Sequence, residues 1–270
     1  MNAGIDVKRI QGFGAFYIFA ARMRNMSKWK VAIGAVDIGN PLFYLVSIGI
    51  GIGVLVQNNS GTSGTGGIKY IAFIAPALLV NSAIAAAMDE CVFPTIEGFK
   101  WRKTFFAQNA TPITATQIAI GVFLAAMARA LVSVFIYYVL LLAFNVVDFG
   151  TSFLLIPIAV LGGGAFGAVM LFCAAKIEKE DHFFNILGRL VITPMFLFSG
   201  TFFPLESMPI YFQPIGWISP LWHATELGRS AAFDYGVSST MTLVHILFLV
   251  ALVTIGLALS FRQFERRLSK

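Results

Sequence analysis

Six stretches of this chain are apolar for long enough to cross a bilayer, and that excludes most folds. They run over residues 31–56, 70–90, 117–144, 151–175, 183–203 and 241–261. A hydrocarbon core of about 30 Å takes ~20 helical residues, each rising 1.5 Å. The expectation is an all-α polytopic membrane protein with six transmembrane helices. Charge agrees: 12% of the 270 residues are charged and 58% hydrophobic, against about 25% charged in a soluble domain. No stretch is left over for a separate soluble catalytic domain. The organisation read from this is a basic segment 1–30, a six-span domain 31–262 and a short tail 263–270.

One apolar stretch does not behave as a span. From Val191 to Arg229 the chain reads VITPMFLFSGTFFPLESMPIYFQPIGWISPLWHATELGR. Pro204, Pro209, Pro214 and Pro220 each remove a backbone donor and clash with the preceding turn, so no continuous helix can run through. Ile210, Tyr211, Phe212, Trp217 and Trp222 are too oily for a free loop. Broken backbone at membrane depth survives only where protein or a wet cavity satisfies it. A re-entrant outer hairpin between spans 5 and 6 is therefore expected.

The placement of lysine and arginine sets the orientation. Segments 1–30, 91–116, 176–182 and 262–270 hold six, three, two and four basic residues, whereas the opposite side holds only Lys69 and Arg229. Both termini are expected in the cytoplasm of a cell carrying this chain in its cytoplasmic membrane. The basic residues sit beside spans rather than along an aromatic-lined groove, which argues against nucleic-acid binding. In residues 1–30, Phe13, Phe16, Tyr17 and Phe19 alternate with Lys8, Arg9, Arg22, Arg24, Lys28 and Lys30, as suits an amphipathic helix at the headgroup boundary. The same segment lacks the apolar core and cleavage site of a secretory leader. Cys91 and Cys173 fall at span ends assigned to the cytoplasm, where a disulfide is not expected.

The motifs of chemistry are missing. There is no phosphate-cradling GxxxxGK[ST]; the GGGAFG run at 162–167 lacks the lysine and lies inside a span, where its glycines suit close helix approach. His182, His223 and His245 are scattered, so no metal site is expected. What stands out is charge at membrane depth. Arg129 lies about 18 Å into span 3, where a charge costs roughly 2.5–3.5 kcal/mol on insertion scales. Glu226 is its expected partner, and Asp37 with Arg189 a second pair. Asp89 and Glu90 read as solvated caps of span 2. His223, Glu226 and Arg229, spaced i, i+3, i+6, share a helix face, either as a clamp or as a proton relay. Between spans 2 and 3, Phe93, Glu97, Gly98, Phe99, Trp101 and Arg102 combine an aromatic face with charge. That suits a short surface helix, which either docks into a soluble partner's groove or lies as an elbow against lipid.

The block ITPMFLFSGTFFPLESMP at 192–209 and PLWHATELGR at 220–229, with the basic N-terminus and charged elbow, resembles the permease subunit of type-2 ABC exporters, of the NodJ-like and daunorubicin-exporter DrrB-like kind. The resemblance implies that two permeases pair, as two copies or with a sister permease. Each would dock a cytosolic ATPase that holds the ATP and magnesium, with no cofactor in this chain. Residues 93–103 would be the coupling helix, residues 1–30 the connecting helix, and 204–229 the outer re-entrant helices. The cargo implied is amphipathic: a drug, a glycolipid or a lipo-oligosaccharide.

Two other readings stay open on the residues alone. A secondary transporter or channel would use Arg129, Glu226 or His223 in proton coupling and work without ATP, but spans 1–3 and 4–6 show no repeat. A membrane enzyme would need a nucleophile with its base, or metal ligands on facing helices, and no such cluster is legible.

Overall fold

The computed structural model describes residues 7–52, 68–177, 186–233 and 238–269, and every element among them is helical. The fold starts from α1 (Val7–Ser27), which a short turn separates from α2 (Lys30–Tyr44). Pro41 lies inside α2, and beyond it the helix widens into π turns over Leu45–Ile52. A proline removes one rung of the ladder, and a π register is one way to close the gap. α3 (Tyr70–Ile96) continues through further π turns, Glu97–Trp101, and stops at Lys103, whose φ is +52°.

The short α4 (Thr104–Asn109) leads into α5 (Ala115–Ala143). Thr114 caps α5: its hydroxyl accepts from the Gln117 amide at 3.2 Å, while the Gln117 side chain accepts from the Thr114 amide at 3.0 Å. This reciprocal pair satisfies two donors that a helix start leaves open. α6 (Leu155–Lys176) follows a 3₁₀ turn.

The remaining elements are α7 (Thr193–Phe198), α8 (Gln213–Trp217), α9 (Pro220–Phe233) and α10 (Ser239–Leu268). Among the described residues five helices are long and apolar enough to cross a membrane, and Leu187–Phe198 is a shorter apolar helix. The chain is thus an all-helical polytopic membrane protein. Part of the expected fifth span, like the 57–67 loop, most of 176–182 and the first six residues, lies outside the described residues.

The core is α3, α5 and α6, with α9 and α10 packed onto it. Glycine sets the distance between α3 and α6. A Cβ at Gly163 would meet the Ala83 carbonyl oxygen at 2.8 Å, and one at Gly162 would meet Ala224 at 2.7 Å. With no apolar solvent penalty to drive helices together in lipid, such close backbone approach carries the association. α1 lies along the first half of α5, with Ile18 buried against Gly121 and Phe13, Phe16 and Tyr17 exposed on the other side. One face of α1 therefore meets protein, and its aromatic face is exposed. α2 and α7 sit at the margin, where Tyr44 meets Phe196 edge-on at 5.9 Å.

Two boundaries differ from the sequence reading. Span 2 was expected to end at Glu90, but its helix continues to Trp101 without a break. The tail expected from 263 onward is the last turns of α10, with Phe264 and Leu268 buried.

Candidate coupling surface and intramembrane polar cluster

At the end of α3 the six elbow residues split into two roles. Phe99 is buried: it packs edge-on to Phe105 at 5.0 Å and to Phe264 at 4.9 Å, and the Arg267 guanidinium lies 4.3 Å above its ring centroid. The same arginine donates to the Ala175 carbonyl at 2.8 Å and to Ile177 at 3.1 Å, closing the open carbonyls at the end of α6. Gly98 is buried because the Phe105 ring occupies the place of a side chain, within 2.5 Å of a Cβ built there.

Trp101, Phe93 and Arg102 face outward, the first two 54% and 46% exposed. Glu97 stands between these groups. It meets Arg102 at 3.1 Å and Arg22 of α1 at 3.6 Å, and Arg22 also donates to Glu90 at 3.0 Å. The elbow is thereby tied to α1 by charge and to α4 and α10 by aromatic packing.

Deeper in the bundle, Arg129 of α5 holds Asp37 of α2 in a two-pronged pair, at 2.6 and 2.8 Å, and also donates to Ser133. This corrects both expected pairings. Arg129 does not reach Glu226, and Arg189 is exposed with no carboxylate beside it among the described residues. The planar guanidinium fits the carboxylate edge to edge, which is the stronger form of such a bond. The pair borders a cavity of about 240 Å³ between α2, α3 and α5. Asn40, Asn81, Ser82, Asp89 and Tyr137 also line it.

At the opposite end of the bundle the clamp reading of the 223–229 face describes what the residues do. Arg229 is fully buried. It donates to the Phe73 carbonyl at 3.0 Å, to Glu226 at 2.7 Å and to the Gly200 carbonyl at 2.7 Å, with its guanidinium 3.6 Å above the Phe73 ring centroid. Gly200, at φ +69°, makes the reversal whose carbonyl is held. His223 donates Nε2–H to the Trp217 carbonyl at 2.9 Å. A carbonyl can only accept, so in a neutral His223 the Nδ1 accepts and His245 Nδ1, 2.8 Å away, donates. The hairpin is thus stitched to α3 and α10 by side chains that its own sequence supplies.

Comparison with known proteins adds the decisive observation: the sequence pattern of ABC-2 type transporters matches residues 15–233. The chain belongs to the ABC-2 type transporter family. That match takes in α1 from residue 15 onward, the elbow, the Asp37–Arg129 pair and the Arg229 clamp. Along nearly its full length this ABC-2 chain is also similar to proteins named Nodulation protein J. It is 27% identical over 260 residues to the one from Rhizobium leguminosarum bv. viciae (95% of this chain, 97% of that protein). It is 28% identical over 269 residues to the one from R. leguminosarum bv. trifolii (98% and 99%). For Neorhizobium galegae the figure is 28% over 250 residues, 92% of each chain. An ABC-2 chain is the membrane component of a transporter.

Several participants in this ABC-2 architecture were not singled out from the sequence. Ser133 lies one turn from Arg129, and Asn40, Asn81 and Ser82 are polar residues inside apolar helices. That last property is a legible signal. Arg267 and His245 gave none, because a basic residue near a span end and a lone histidine are each common.

Proposed function

We propose that this chain is the permease subunit of an ATP-driven exporter that moves an amphipathic substrate outward, using ATP and magnesium held by a separate cytosolic ATPase. The observation that carries the reading is the family membership, joined to an elbow whose outward face is aromatic and basic. Trp101 and Arg102 sit at its apex and make the contact with the ATPase. Phe99, Gly98 and Arg267 hold that apex on the bundle, and Glu97 links it to Arg22, so that α1 moves with it.

Two permeases, either copies or sisters, pair through the margin where α2 and α7 leave apolar side chains such as Val36, Phe43 and Leu197 exposed. The lysine and arginine count supports a cytoplasmic elbow and termini. Phe93 lies farther back along α3, and the hairpin at 199–219 caps the path on the far side.

The test uses the chain co-expressed with a candidate ABC ATPase from the same genome. Trp101→Ala is expected to lose most of the co-purified ATPase while the chain still inserts and runs as a single species. Phe99→Ala is expected to lower thermal stability instead. ATP hydrolysis by the purified permease alone would refute the assignment.

A further inference from the structure

A polar groove runs along α3 from the elbow to mid-membrane depth. Its outer part is a cavity of about 430 Å³ lined by Arg22, Trp29, Phe93, Glu97 and Arg102. Its inner part is the cavity beside Asp37 and Arg129. Asp89 lines both and stands where the two parts meet. Asp89 is 19 residues beyond Tyr70, or about 28 Å along the helix.

The charges of this recess pair off with one exception. Arg22 meets Glu90 and Glu97, Arg102 meets Glu97, and Arg129 meets Asp37. Asp89 has no hydrogen bond or ion pair to any described residue, and its side chain is exposed within the groove. At the inner end Tyr137 is 2% exposed, and its hydroxyl has no hydrogen-bond partner among the described residues. A buried polar atom left unpaired costs about 1–3 kcal/mol, so the blind end is built for a polar guest. At the mouth Trp29 and Phe93 present exposed rings, and ring faces attract cations.

We propose that this groove binds a protonated amine carried on an apolar chain, with Asp89 as its counter-ion, Trp29 and Phe93 as its aromatic wall, and the chain leaving between α2 and α3. An anionic head is disfavoured, because the recess already holds one carboxylate more than it holds guanidinium groups among the residues lining it. The proposal deepens the export reading by naming the chemistry of the cargo. Two sources supply such an amine: a transported alkylamine, or the ethanolamine head of a bilayer phospholipid.

The test is photolabelling of the full chain in phosphatidylcholine nanodiscs by a diazirine-bearing dodecylamine, with no ATP and no ATPase. It can therefore fail while the permease reading stands. Saturable labelling is expected near Trp29 and residues 85–93. Dodecylamine competes; dodecyl phosphate and dodecyl glucoside do not. Asp89→Asn weakens labelling about tenfold or more, the scale of one lost charge-assisted bond, while Asp89→Glu retains it, and Tyr137→Phe weakens it less. Loss of labelling in phosphatidylethanolamine discs assigns the groove to the lipid head, and persistence assigns it to a transported amine; both keep the amine site. Equal labelling of the wild type and Asp89→Asn, or equal competition by dodecyl phosphate, overturns it.

Discussion

Truncating Arg129 to alanine leaves the Asp37 carboxylate at the edge of a recess inside the bundle with nothing to neutralise it. Stranding one half of a buried pair costs about 3–5 kcal/mol, while replacing both halves by apolar groups of similar size costs far less. Arg129→Ala and Asp37→Ala are therefore each expected to lower the unfolding temperature in detergent sharply, and Asp37→Leu with Arg129→Met to recover most of it. Simple additivity of the single effects in a double-mutant cycle would show that the pair is not coupled. That Arg129 needed a partner was legible in the sequence; which partner was not. Depth counted along the helices puts Asp37 shallow and Arg129 central. A helical side chain leans toward its own N-terminus, and the long reach of arginine closes the remaining gap. Asp89 shows the same limit from the other side: a carboxylate at a span end reads as a solvated cap, and only the neighbouring helices turn it into the odd charge of a recess.

Among the elements, the α3–α6 contact is the one whose loss the bundle can least absorb. At Gly163 an added methyl would press on the Ala83 backbone oxygen, which cannot rotate away as a flexible side chain can. Gly163→Ala is expected to cost about 1–3 kcal/mol, in the range of overpacked cores, and Gly163→Val more. Gly12→Ala, where an added Cβ meets no atom within 4 Å, serves as the control. Thermal unfolding of the purified chain reads both. The glycine run was legible as a site of close approach, but not as one that faces α3. The elbow was legible in composition and not in extent. Phe93 through Arg102 read as a separate surface helix because an aromatic face combined with charge lies between two spans, yet Pro94 is carried inside α3 and π turns continue the helix to Trp101. Phe99 was marked for docking on its chemistry alone; burial against Phe105 and Phe264 makes it an internal strut.

For the molecule as a whole, the fold class, the family and the broken hairpin were all readable, because each rests on hydrophobicity and proline, which act locally. The expected fifth span is the exception: among the described residues its apolar helix, Leu187–Phe198, is short for a crossing by itself. Orientation is open to a direct measurement. In a Cys91→Ala, Cys173→Ala background, a cysteine at position 101 is expected to react with impermeant maleimide only from the cytoplasmic side. One at position 211 should react only from outside. Labelling of position 101 from outside would reverse the topology and remove any soluble ATPase from reach.

The continuous helix from Tyr70 to Trp101 has 32 residues, about 48 Å at ordinary rise, whereas a bilayer with its headgroups is ~40–45 Å thick. Its far end therefore stands proud of the lipid like a post through a floorboard. A bilayer a few ångström thinner lengthens that overhang and one a few ångström thicker shortens it, so on the reading proposed above the protein's handhold depends on the thickness of its membrane.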